Sequence, residues 1–106
     1  MCCANDLLAL GALQRFTELG IDVPRQVSVG GFDDIQTAAM ATPGLSTVRL
    51  PHHEIGRRAF GYAEALLAGR QPGREVLPTE LVLRGSTAAP PAEPVAVGGR
   101  DESIVA

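Results

Sequence analysis

Two short stretches carry the polar groups of this chain that could handle a small molecule. They are Cys3-Ala-Asn-Asp-Leu-Leu-Ala-Leu-Gly-Ala-Leu13 and Val27-Ser-Val-Gly-Gly-Phe-Asp-Asp34. Each reads as the mouth of a βα unit, with Asn5 and Asp6, then Asp33 and Asp34, standing where a strand ends and a helix begins. In open α/β sheets, ligands bind along that edge. A carboxylate accepts from two vicinal hydroxyls and an amide both donates and accepts, so together they suit a polyol or a nucleoside-like ligand. The competing role is helix capping, which Asn and Asp at such junctions fill routinely.

Catalysis is not expected. Asp33, Asp34 and Glu54 could be imagined as a glycosidase carboxylate pair, but nothing in the spacing sets a second carboxylate at a working distance. No nucleophile elbow, phosphate-cradling loop or metal-ligand spacing is present, so no catalytic residue, metal or cofactor is expected. His52-His53 follows Pro51 at a helix entry, where capping or solvent exposure is the ordinary role. Cys2 and Cys3 are adjacent, a spacing at which disulfides are strained, and they read as free thiols in a reducing cytosol.

The elements that must position these groups follow from periodicity. After Asn5 or Asp6 as N-cap, Leu7, Leu10, Leu13, Phe16 and Leu19 recur every third residue, and Gly20 suits the left-handed position after the helix. Val27–Phe32 is a short apolar strand weakened by Gly30-Gly31, which would let other backbone or a ligand approach closely. A short helix over Ile35–Ala41, a turn at Thr42-Pro43-Gly44 and a strand over Leu45–Leu50 come next. A longer helix from about His53 to Ala68 has Ile55, Ala59, Tyr62, Ala63, Leu66 and Leu67 on its inner face, and Gly69 ends it. Val76–Arg84 is a last strand, and residues 88–106 lack periodicity and read as a disordered tail. Strands alternating with helices argue for a parallel α/β sheet.

Composition narrows the partners. The 106 residues are 45% hydrophobic and 20% charged, ordinary values for one globular domain. A net charge of −3, with every basic residue an arginine, creates no field that would attract nucleic acid phosphates. No run of about 18 apolar residues exists to span a membrane, and no signal peptide is visible.

The two opening stretches, together with Leu19-Gly-Ile-Asp-Val-Pro24, Thr42-Pro-Gly-Leu-Ser-Thr-Val-Arg49, Gly56-Arg-Arg-Ala59 and Leu77-Pro-Thr-Glu-Leu-Val-Leu-Arg-Gly-Ser-Thr87, follow in a recognisable order. Over about residues 3–87 the chain resembles the C-terminal part of LacI/GalR-family (lactose/galactose repressor type) transcriptional regulators. Gly30 departs from the pattern, standing where the family usually carries a branched apolar residue.

The resemblance implies an incomplete periplasmic-binding-protein-like fold (Rossmann-like, three-layer, with a parallel sheet), the C-terminal third of a two-lobed effector sensor spanning residues 1–87. It implies ligand contact at Asn5 and Asp33, with Asp6 and Asp34 left as helix caps. It further implies a homodimer meeting through Leu10, Leu13 and Ala41. DNA would be read only by an N-terminal helix-turn-helix that is absent from these residues, and the expected setting is the cytoplasm. Strands without their neighbours would leave open ladders and apolar faces, so the chain alone is expected to be unstable or aggregation-prone. The alternatives are a fragment of a sugar-binding protein of an ABC importer, distinguished by its upstream sequence, or a non-functional truncated remnant.

Overall fold

Helix α1 (Asp6–Glu18) starts where the Asn5 side chain accepts a hydrogen bond from the Leu8 N–H. It stops at Leu19, followed by Gly20 at φ 68°, a conformation that favours glycine. In this computed structural model, which describes residues 1–94, the remaining elements are α2 (Gln36–Met40), β1 (Thr47–Arg49), α3 (His52–Leu67) and β2 (Glu80–Val82). Helix α3 ends in the same way, with Ala68 as its cap and Gly69 at φ 74°.

The sheet is built from short contacts. Cys2, Gly30 and Ser46 form parallel bridges in that order, and Asp33 bridges Arg49 in the same sense. The Gly30 N–H donates to the Met1 carbonyl at 3.0 Å and the Gly31 N–H to the Ser46 carbonyl at 2.9 Å. The expected strand over Val27–Phe32 is thus reduced to bridges at the single residue Gly30, as a Gly-Gly pair with no side chains to pack would give.

The final pairing corrects the expectation of a parallel sheet throughout. Strand β2 runs antiparallel to β1, with Thr47 opposite Val82 and Arg49 opposite Glu80. The reason is topological. The chain leaves its first packed body along β1, makes its helical excursion through α3, and comes back along β2. One segment leads out and the other leads back, so side by side they must oppose. The returning chain rejoins the first body at Ser86, whose N–H donates to the Gly44 carbonyl while its own carbonyl accepts from the Val29 N–H.

The core is small. Ala9, Leu13, Val29, Ala38 and Leu45 are buried together, with Cys3, Leu10, Phe16, Val23, Ile35 and Ala41 packed against them. Helix α3 shares none of it. Of its expected inner face only Tyr62 is partly covered, Ala65 is the buried residue, and Leu67 is 90% exposed. The amphipathic pattern of α3 is present, but among the described residues no second layer covers it. Among the described residues no helix is long and apolar enough to cross a membrane. Of the tail expected to be disordered, residues 95–106 lie outside the described residues, and Ala88 is tied to the Ser28 hydroxyl through both its N–H and its carbonyl.

Candidate functional site

The backbone brings the two opening stretches together. The Asp6 N–H donates to the Phe32 carbonyl at 3.0 Å, so Asn5 and Asp33 lie one residue to either side of a single hydrogen bond on one sheet edge. Both are partly buried. The Asn5 Oδ1 caps α1 through the Leu8 N–H at 2.9 Å, leaving its amide Nδ2 without a partner among the described residues. The Asp33 carboxylate likewise has none, while its backbone N–H is held by the Val48 carbonyl at 3.0 Å. A polar ligand at this edge would meet two acceptor oxygens and an amide donor pair.

The neighbouring acids behave differently from the expected caps. Asp6 is fully buried and turns inward: Oδ1 accepts from the Thr47 hydroxyl at 2.6 Å and Oδ2 from the Ile35 N–H at 2.8 Å. Asn5 caps α1, because both Asp6 carboxylate oxygens are already engaged by Thr47 and Ile35. Asp34 makes no cap to α2 either. Its Oδ2 accepts from Arg49 Nε at 2.7 Å and its Oδ1 from Arg84 Nη2 at 2.8 Å. Arg49 also reaches Glu80 at 3.0 Å, and Arg84 Nη1 donates to the Leu45 carbonyl at 2.9 Å.

Asp33 and Asp34 both have positive φ, 115° and 57°. Such backbone costs about 1–3 kcal/mol per residue and persists only where the surroundings hold it. Here the turn is held at three consecutive residues: the Asp33 N–H, the Asp34 carboxylate and the Ile35 N–H. Sequence reasoning missed Arg49 and Arg84. The signal was available, since a charged side chain within a largely apolar strand needs a counter-ion nearby.

Hydrogen bonding from Arg49 above all, then Arg84 and their charges, holds the Asp34 carboxyl below its ordinary value of 3.8, against the opposing effect of burial. A carboxyl depressed in the folded state contributes stability that is present above its unfolded value and lost as pH falls through the folded one. Thermal melts of the chain and of Asp34→Asn are therefore expected to differ at pH 7 and to converge as the pH drops below 3.8. Melts that stay equally far apart at low pH would sink that account.

Glu54, the other acid weighed for catalysis, sits in the first turn of α3, where Arg57 and then Arg58 hold its carboxyl at about 2. It belongs to an exposed ion-pair cluster that includes Arg58 and Glu75 at 2.8 Å. A groove of about 500 Å³ lies on that side, between α3 and the returning segment, with Leu50, Ile55, Tyr62 and Leu77 in its lining. It does not include Asn5 or Asp33. Among the described residues no group of three or more His, Cys, Asp or Glu could hold a metal ion, and both cysteines are free.

Of the residues expected at a dimer contact, Leu13 is 6% exposed and faces the chain's own core. Leu10 and Ala41 pack against that core but keep part of their surface, and the most open leucine of α1 is Leu7 at 71%.

Residues 1–87 match the model of the periplasmic binding protein-like domain. The chain belongs to that family. Its relatives are LacI-type transcriptional regulators. The HTH-type transcriptional regulator MalR of Streptomyces coelicolor is 45% identical over 93 residues, which are 86% of this chain and 27% of MalR. The lactose operon repressor of Rhizobium radiobacter is 39% identical over 84% of this chain and 80% of the repressor sequence. Among solved structures, a lac repressor dimer bound to operator and the anti-inducer ONPF superposes with a TM-score of 0.75 at 34% identity, covering 84% of this chain and 32% of that one. A sugar-binding transcriptional regulator of the LacI family from Escherichia coli gives a TM-score of 0.69 at 37% identity over 84% of this chain and 32% of that one. This periplasmic binding protein-like domain thus spans about a quarter of the length of the MalR relative.

Proposed function

We propose that this chain is the C-terminal effector-sensing portion of a LacI-type regulator. It binds a sugar or related small molecule and so controls DNA binding by a separate helix-turn-helix. The reading rests on one observation above others: two polar side chains with unused hydrogen-bonding capacity, Asn5 and Asp33, flank one backbone bond on a sheet edge. The edge supplies one wall of a cleft. The relatives reported above are regulators rather than enzymes or importer components, which favours sensing over catalysis or transport and the cytoplasm over other compartments. A second copy of the chain meets α1 through the remaining surface of Leu10 and Ala41, with Leu13 supporting that face from the core.

The test is a thermal melt with lactose, maltose, ribose and uridine, each at millimolar concentration. A ligand bound at a hundred times its Kd adds about 2.7 kcal/mol of stability. One of the four is expected to raise the midpoint of the unsubstituted chain. Asp33→Asn is expected to abolish that rise with little change in the ligand-free melt, since Asn also tolerates positive φ. Asn5→Ser keeps a capping oxygen but loses the amide donors, and is expected to weaken the rise. No shift with any of the four compounds would remove the reading for these ligand classes.

A further inference from the structure

We propose that Asp34 is a positioning residue, locking the left-handed turn that presents Asp33 onto both strands that link the packed core to α3. The inference rests on the assignment of Asp33 as a ligand contact. Asp34 contacts neither the sheet edge at Asn5 nor the groove beside α3. Its carboxylate is 9% exposed and is shared between two arginines from different crossings. Arg49 belongs to the outgoing strand β1 and Arg84 follows the returning strand β2. Arg49 extends the bridge to Glu80 on β2 itself, and Arg84 anchors back to the Leu45 carbonyl before β1 begins.

The same turn is fixed on either side. The Asp33 N–H donates to Val48 in β1 and the Ile35 N–H to the buried Asp6 carboxylate. Asp33 is therefore the free end of a rigid assembly whose other members are the crossing strands. A ligand drawn against the Asp33 carboxylate pulls on the crossing through Asp34, with no flexible segment between them to absorb the displacement. Charge geometry supports one carboxylate serving both arginines, because each guanidinium meets a different oxygen.

Amide hydrogen exchange of the full chain tests this without any ligand. Asp34→Asn keeps the size and tolerates the positive φ but removes the charge. It is expected to accelerate exchange about tenfold at Asp33, Ile35, Thr47–Arg49 and Glu80–Val82, leaving the amides of Ala9–Thr17 in α1 unchanged. Adding Arg84→Gln to Asp34→Asn is expected to accelerate the crossing amides further only by what the Arg84 bond to the Leu45 carbonyl contributes, since the contact between Asp34 and Arg84 is already broken. Equal acceleration in α1, no acceleration anywhere, or crossing amides already unprotected in the unsubstituted chain would each overturn the proposal. A chain that binds none of the four probe compounds would remove the ligand reading while leaving this exchange result to stand, so the two failures are separable.

Discussion

Replacing Gly31 with alanine is expected to remove about 4 kcal/mol of stability. A Cβ at that position would lie 2.2 Å from the Asp6 Oδ1, 3.1 Å from the Leu45 Cδ2 and 3.2 Å from the Asp6 Cα. None of these can yield cheaply. Asp6 and Leu45 are both fully buried, and the Asp6 carboxylate is held from two sides by Thr47 and Ile35. Relief requires either moving the start of α1 away from the sheet or breaking the carboxylate's bonds. Overpacking costs about 1–3 kcal/mol and an unsatisfied buried group about 1–3 more. A loss of about 4 kcal/mol is large for a domain of this size with so small a core. The contrast with Gly30 makes the test specific. A Cβ there meets only the Ser46 carbonyl at 3.9 Å, so Gly30→Ala is expected to change stability by less than about 1 kcal/mol. Urea unfolding of both variants decides it. Equal losses at the two positions would show that strand propensity matters here, and not the approach of Asp6.

The Gly30-Gly31 pair shows how far the amino-acid sequence carries the structure. A close approach was legible from two adjacent glycines, but which of them receives it, and from what, depends on a partner 25 residues earlier. Local features read well for the same reason that long-range ones do not. The limits of α1 follow from Asn5 and Gly20, and those of α3 were expected one residue later than the observed His52–Leu67. Hydrophobic periodicity identifies the apolar face of α3 but not what covers it, so Leu66 and Leu67 were expected inside and are exposed. Strand direction escapes periodicity altogether, and β2 opposes β1 because of where the chain must return. At the candidate site the residue types at the sheet edge were legible, together with the chemistry they allow. The division of labour between neighbours was not: Asn5 caps and Asp6 does not, and Asp34 pairs with arginines from two distant strands.

Asp6→Ala is expected to cost nearly as much as the alanine at Gly31, through the loss of bonds instead of a clash. Truncation leaves the Ile35 N–H without its partner and the buried Thr47 hydroxyl without an acceptor, at about 1–3 kcal/mol for each unsatisfied group. It also removes an anion from the first turn of α1, where the helix dipole favours one. Asp6→Asn separates these effects. With its carbonyl turned to Ile35 and its amide donating to Thr47, whose hydroxyl can accept instead, an asparagine keeps both bonds and loses only the charge. Its expected cost is about 1 kcal/mol, against about 4 kcal/mol for alanine. Thr47→Val then reports on the shared bond. Combined with Asp6→Ala it is expected to cost much less than the sum of the two single changes, because one interaction is removed twice. Chemical denaturation of the four variants reads the cycle directly. Additive losses, or an asparagine as damaging as the alanine, would show that charge at the helix start, and not the bond to β1, is what holds α1 against the turn that carries Asp33.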